Sequence, residues 1–250
     1  ILPVDVVCAN SIEDKSFVRN YDINSIPNDL MALDIGPGDE VLTTSNTAVP
    51  TVTAIVNAGA TAKFVDINKY SLMDVAKLPK FISPKTKAIL PVHLYGQICE
   101  MNKIMEIAKK HNLKVIEDCA QSHGATYLGK KAGSIGDVGC FSFYPTKIFG
   151  AYGDGGFITT NNENLFDRMK RIRFLGMEKK KMSSGHWNGK YYAVEHGTNS
   201  RLDEVHAAIL LKKLPYLDQW IARRRDIAKK YNDELKGLNL ELPLEHPDNK

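Results

Sequence analysis

Two spacings of apolar residues alternate along the chain, and they predict a succession of strands and helices. Residues 40–44 read as a strand. Residues 47–58 follow with Val49, Val52, Ile55 and Val56 at helical spacing, closed by Gly59. A strand is predicted over 63–67. Another, nearly all apolar, is predicted over 87–92, as expected of a strand buried on both faces of a parallel sheet. Residues 93–97 form a loop at its end. Residues 101–111 read as an amphipathic helix with Ile104, Ile107 and Ala108 inward, and 114–117 as the next strand. Strands over 140–143 and 156–160 are expected to pair antiparallel. Helices are predicted over 164–174, capped by Asn161 or Asn162, and over 202–214 and 217–235. Residues 29–35 read as a helix end stopped by Gly36-Pro37-Gly38. Residues 1–27 read as irregular with at most one strand. The polar, glycine-punctuated stretch 175–198 is long for a structureless loop, which favours a functional segment.

Strand–helix–strand alternation with short connections defines a three-layer α/β domain with a mixed, mostly parallel sheet. Right-handed crossovers then bring the strand ends to one side of the sheet, where open α/β sheets bind ligands. A chain of 250 residues can bury one large core, or one core and part of a second. A net charge of +4 with dispersed lysines and arginines argues against a nucleic-acid surface. The basic runs 179–181 and 223–225 read as solvated faces. Cys8, Cys99, Cys119 and Cys140 form no Cys-x-x-Cys pair and no zinc pattern. Cys119 and Cys140 read as small core residues, and this usage fits a reducing cytoplasm. No apolar run is long enough to span a bilayer, and the start does not read as a signal peptide.

Two stretches carry candidate chemistry. Lys147 lies between an aromatic strand (Phe141, Phe143) and a glycine-rich turn (Gly150, Gly153, Gly155, Gly156). Aromatic neighbours strip hydration from an ammonium and favour the free amine, a usable nucleophile. A lysine snorkelling from a loop is the other reading, and this stretch alone leaves the two even. The strand before residue 118 ends in Glu117 and Asp118, followed by small and polar residues. A strand-end acid and a buried lysine on a neighbouring strand form the pair that pyridoxal phosphate needs. The lysine makes the Schiff base and the acid partners the pyridinium nitrogen. By alternation Glu117 faces the other side of the strand from Asp118, and it receives no role.

The sequence resembles the DegT/DnrJ/EryC1/StrS sugar aminotransferases, a group of fold-type I pyridoxal phosphate enzymes. The words that carry the resemblance are Val-Ile-Glu-Asp-Cys-Ala-Gln-Ser-His-Gly-Ala (115–125), Phe-Ser-Phe-Tyr-Pro-Thr-Lys (141–147), Gly-Ala-Tyr-Gly-Asp-Gly-Gly (150–156) and Asn-Ser-Arg-Leu-Asp-Glu (199–204). The resemblance implies an aspartate-aminotransferase-like large domain. Lys147 would be the catalytic Schiff-base lysine and Asp118 the partner of the ring nitrogen. Gln121 would contact the phenolic oxygen, Ser142 the phosphate, and Asn199 the phosphate across a homodimer interface. His123 and Tyr144 would lie near the substrate. The implied reaction moves an amino group from glutamate to a 3- or 4-keto deoxysugar linked to a nucleotide, dTDP above all, for polysaccharide or glycoside synthesis. No metal, nucleic acid or membrane enters it.

Two stretches depart from the family pattern. The region 24–29 lacks the family's glycine-containing phosphate loop and most of the large-domain helix that follows it. Asn46-Thr47-Ala48 stands where many relatives place an aromatic over the ring. The expected division is an atypical segment over 1–28, a cofactor-binding large domain over 29–217, and a linking helix with the start of a truncated small C-terminal domain over 218–250. Two alternatives stay open. One is a truncated or degenerate member without catalysis. The other is a sugar dehydratase of the same fold, against which Lys147 argues, because dehydratases carry histidine there. A dinucleotide dehydrogenase is disfavoured, since no Gly-x-Gly-x-x-Gly opens a helix after a strand.

Overall fold

The structure, a computed structural model, describes residues 16–20, 25–178, 180–181, 187–188 and 192–250. The elements in chain order are β1 (Ser16–Asn20), α1 (Ser25–Ala32), β2 (Glu40–Thr44), α2 (Val49–Asn57), β3 (Thr61–Val65), β4 (Thr86–Ile89), α3 (Met101–His111) and β5 (Lys114–Asp118). They continue with β6 (Thr126–Tyr127), β7 (Lys130–Lys131), β8 (Val138–Ser142), β9 (Gly156–Thr160), α4 (Glu163–Ile172), β10 (Lys180–Lys181), β11 (Trp187–Asn188), α5 (Glu204–Lys213) and α6 (Leu217–Glu234).

Seven strands form one sheet in the order β1-β9-β8-β5-β4-β2-β3. The pairs from β3 to β8 are parallel, and β8–β9 and β9–β1 are antiparallel. This is the mixed, mostly parallel sheet that the pattern predicts. The strand expected among residues 1–27 is β1, which pairs with β9 along its whole length. Val115 and Ile116 are neighbours in β5 and both fully buried, so layers cover both faces of the sheet. Helix α1 packs with both α2 and α4, and α3 packs on β4 and β5.

Local differences from the sequence reading have identifiable causes. Helix α2 starts at Val49 rather than 47, with Pro50 in its first turn, where a missing N–H does no harm. Strand β4 stops at Ile89, because Pro91 has no N–H to continue the ladder, but pairing with the neighbouring strands extends as far as the Val92–Asp118 bridge. The Leu90 N–H bonds the Leu42 carbonyl and the Pro91 carbonyl takes the Asp118 N–H. Asn162 caps α4, its side-chain oxygen accepting from the Leu165 N–H at 3.1 Å. Within 175–198, the described pieces include the short β10–β11 pair. Lys179 of the basic run lies outside the described residues, as does Cys8.

Two features set the two faces of the sheet beside the Asp118 strand end. On one face Gly139 has no room for a side chain: a Cβ would lie 2.4 Å from the Gly133 Cα and 2.6 Å from Thr159 Oγ1. The segment 133–136 therefore crosses directly over β8. On the other face Asp29 of α1 is fully buried against Cys140, whose thiol donates to Asp29 Oδ2 at 2.5 Å. Burial raises the Asp29 carboxyl well above its ordinary range. The folded state thus binds this proton more tightly than the unfolded state. Its contribution to stability is full below the ordinary carboxylate pKa and is lost as pH rises toward the folded value. In denaturant titrations, Asp29→Asn is expected to gain steadily on the wild type as pH rises above the ordinary carboxylate pKa. A constant difference between the two would show that Asp29 folds in as an anion.

Candidate active site

Asp118 closes β5, in register with Cys140 on β8, and is 6% exposed. Its carboxylate is held by two donors: Thr51 Oγ1 of α2 at 2.8 Å and the Ala120 N–H at 3.1 Å. Backbone bonds grip the same residue, since its N–H donates to the Pro91 carbonyl and its carbonyl accepts from the His93 N–H, both at 2.9 Å. No helix follows. Residues 119–124 form turns, so Gln121 is not one helical turn beyond Asp118. Instead Gln121 Oε1 accepts the Tyr95 N–H at 2.9 Å, and its amide nitrogen is the donor left to offer. Thr51 is a partner that the sequence reading missed.

Ser142, the last residue of β8, lies on the same strand face as Cys140, two residues on. Its hydroxyl accepts the Tyr144 N–H at 3.2 Å. Beyond it the chain makes a closed loop. The Phe143 N–H bonds the Gly155 carbonyl, the Ala151 N–H bonds the Phe143 carbonyl, and the Lys147 N–H bonds the Tyr144 carbonyl. Lys147 is half-buried at this turn, while Tyr144 is exposed.

His123 is buried against Phe141, Phe143 and Phe149, at ring separations of 5.4, 6.2 and 6.3 Å. Phe141 alternates with Cys140 and Ser142, so the imidazole rests on the face of β8 opposite to Ser142. Burial pushes its pKa down to about 3, and the nearby Lys147 charge adds to that, so His123 is neutral at working pH. Among the described residues, the buried Ser122 Oγ has no hydrogen-bond partner.

Glu117 corrects a sequence expectation. It faces away from Asp118 as alternation requires, but it has partners on every side. Its carboxylate accepts the N–H groups of Gly133 (3.0 Å), Ile135 (2.7 Å) and Gly136 (2.6 Å), and meets His93 Nε2 at 3.0 Å. Burial alone would raise its pKa, but the His93 and backbone bonds outweigh it and hold the carboxyl below its ordinary value. His93 Nδ1 accepts the Cys99 N–H at 3.3 Å, which places the imidazole proton on Nε2, toward Glu117. A second proton on Nδ1 would set two donors against each other there, opposing the upward pull of the carboxylate on the imidazole. Among the described residues, donor atoms of His93, Glu117 and Cys119 lie within 4.8 Å of one another. The His93 and Glu117 atoms are already committed to these hydrogen bonds, so the trio reads as a structural clamp rather than a metal centre.

Asn199 bridges Phe174, and its side-chain oxygen accepts from Arg201 Nε at 2.9 Å. Its neighbours are tied to α1. Asn28 takes the Thr198 hydroxyl at 2.9 Å and donates to the Ser200 hydroxyl at 3.2 Å. Asn199 itself is exposed. Helix α6 rests its start on the site, since a Cβ on Gly124 would strike Ile221 Cδ1 at 2.4 Å. From Ala222 to Glu234 the helix is exposed, so the amphipathic pattern there has no apolar cover among the described residues. The chain then returns, and Asn249 pairs both the N–H and the carbonyl of Ile98.

A mixed, mostly parallel sheet covered on both faces is the architecture of a fold-type I aminotransferase large domain. The chain belongs to the DegT/DnrJ/EryC1/StrS aminotransferase family, whose model matches residues 26–250. It is similar to a dTDP-3-amino-3,4,6-trideoxy-alpha-D-glucose transaminase from Micromonospora megalomicea subsp. nigra, 45% identical over 227 residues, which cover 88% of this chain and 58% of that protein. Among solved structures it superposes on S. venezuelae DesV in complex with a ketimine intermediate, with a TM-score of 0.86 and 39% identity over 94% of this chain and 61% of that one. It also superposes on NtdA from Bacillus subtilis with bound cofactor PMP, at a TM-score of 0.82 and 33% identity, covering 94% of this chain and 53% of that one. The chain thus spans a little over half the length of the relatives it matches. Among the described residues no helix is long and apolar enough to cross a membrane.

Proposed function

We propose that this chain is the cofactor-binding part of a pyridoxal phosphate-dependent transaminase acting on a nucleotide-linked keto sugar in the cytoplasm, with glutamate as amino donor. The observation that carries this reading is the conjunction at the strand ends: Asp118 fixed by two donors, with Ser142 and the Lys147 loop following on the next parallel strand. The relatives' printed activities favour a sugar aminated at carbon 3. The buried Ser122 hydroxyl, without a partner among the described residues, fits a pocket that takes up a polar ligand.

When bound, pyridoxal phosphate supplies an aldehyde that takes up the amino group and a ring that draws electrons from the reacting carbon. The chain's own residues would do the rest. Lys147 would hold the aldehyde carbon covalently and, as a free amine, would serve as the base that moves the proton at the substrate carbon. Asp118 would hold a proton at the ring nitrogen. Gln121 would donate its amide N–H to the phenolic oxygen, and Ser142 its hydroxyl to the phosphate. Asn199 would reach the phosphate of a second subunit's site, which makes the working unit a homodimer. His123 and Tyr144 would border the substrate.

The test is the visible absorption of the protein purified with pyridoxal phosphate. A yellow band that bleaches on adding glutamate and returns on adding a keto sugar nucleotide is the expected result. A colourless protein that takes up no cofactor would favour a degenerate, non-catalytic member instead.

A further inference from the structure

The turn that carries Lys147 is held from outside by one face of α5. Leu202, just before the helix, closes on Gly155, where a Cβ would lie 3.1 Å from Leu202 Cδ1. His206 closes on Gly153, whose Cβ would lie 2.6 Å from the imidazole Cε1. Leu210 is fully buried with Phe143, Phe149 and Ala151, the apolar residues of the loop itself. Positions 206, 210 and 213 recur at four and three residues, so they share one side of the helix. The last of them is Lys213. Its ammonium donates to the Gly150 carbonyl, three residues after Lys147. It also lies over two rings, 5.6 Å from the centre of Tyr152 and 5.7 Å from that of Trp220. Trp220 is stacked on Tyr216 at 6.1 Å, which fixes its plane.

We infer that Lys213 is a positioning residue that latches the Lys147 turn through the Gly150 carbonyl. The inference rests on the proposed role of Lys147. Lys213 is well suited to this task. A cation between two aromatic faces is attracted by both and loses little when it trades water for a carbonyl oxygen. Gly150 needs an outside hold because the chain doubles back there. A Cβ on Gly150 would meet the Pro145 and Tyr144 carbonyl oxygens at 2.6 and 2.7 Å, so only glycine lets the two limbs of the turn approach this closely. Apolar packing by Leu210 sets the depth of the loop. It has no directional grip on the backbone, whereas the Lys213 bond does.

The experiment compares wild type, Lys213→Met and Lys213→Arg by amide hydrogen exchange of the cofactor-free protein, and then by titration with pyridoxal phosphate. In Lys213→Met, exchange in the peptide spanning 143–156 is expected to quicken by about tenfold, with the rest of the chain unchanged. The dissociation constant for pyridoxal phosphate is expected to rise about tenfold. Lys213→Arg keeps the charge and a donor fork and is expected to restore both readouts in large part. Exchange at 143–156 that matches wild type in Lys213→Met would overturn the assignment. So would faster exchange spread over the whole chain, or an arginine variant no better than methionine. Failure of the wild type to take up cofactor would refute the proposed function instead, and the exchange arm would still judge the latch.

Discussion

Lys147→Ala is expected to lower transamination by at least about a thousandfold while leaving the fold intact. The size follows from the two tasks that the proposed function gives one amine, covalent attachment and proton transfer, which are lost together. Preservation of the fold follows from the structure. The side chain is only half-buried, and the backbone bond from the Lys147 N–H to the Tyr144 carbonyl survives the change. Lys147→Arg should not rescue activity, because a guanidinium stays protonated and cannot attack a carbonyl carbon. Steady-state rates with glutamate and a keto sugar nucleotide, alongside far-ultraviolet circular dichroism, separate the two effects. A variant with near-normal rates would remove Lys147 from the chemistry.

Glu117→Leu should produce the largest loss of stability. Three backbone N–H groups and the His93 Nε2–H converge on this carboxylate, and all of these donors would lose their acceptor inside the sheet. Stranding buried partners in this way costs about 3–5 kcal/mol, or roughly 10 °C in the melting midpoint of a chain this size. Loss of the clamp also releases the segment 133–136 that Gly139 makes room for, on the face of β5 opposite to Asp118. The pH dependence has a definite sign. The folded-state pKa of Glu117 lies below its ordinary value, so its contribution is present above the unfolded carboxylate pKa. It disappears as pH falls through the folded value. Acid titration of wild type against Glu117→Gln therefore shows a gap that closes at low pH. A gap that stays constant would mean that the carboxylate is not the charged group in the clamp.

Period and punctuation made much of this fold legible before any coordinates. Helix Met101–His111 and strands Glu40–Thr44 and Gly156–Thr160 fall at the expected residues. Each combines a clear apolar period with an unambiguous stop. Boundaries moved where backbone chemistry overrode the apolar pattern, as at Pro91, which is apolar but has no N–H to continue the ladder. The acid and the lysine loop were legible because each couples a reactive side chain to an unusual setting, a strand end and an aromatic–glycine turn. Glu117 was not, although a signal was present. In a central strand buried on both faces, the carboxylate beside Asp118 has to be buried as well, and a buried carboxylate has to be bonded. Lys213 carried no such signal. Near the end of a polar-tipped helix it resembles any solvated lysine, and only the packing of α5 on the glycine turn brings it to the Gly150 carbonyl.

The most direct test of the account is to reduce the cofactor-loaded protein with borohydride, digest it, and locate the pyridoxyl group by mass spectrometry. The account predicts the added mass on Lys147 alone, in the peptide that contains Phe141–Phe143. Pyridoxyl on any other lysine, or on none, would contradict it.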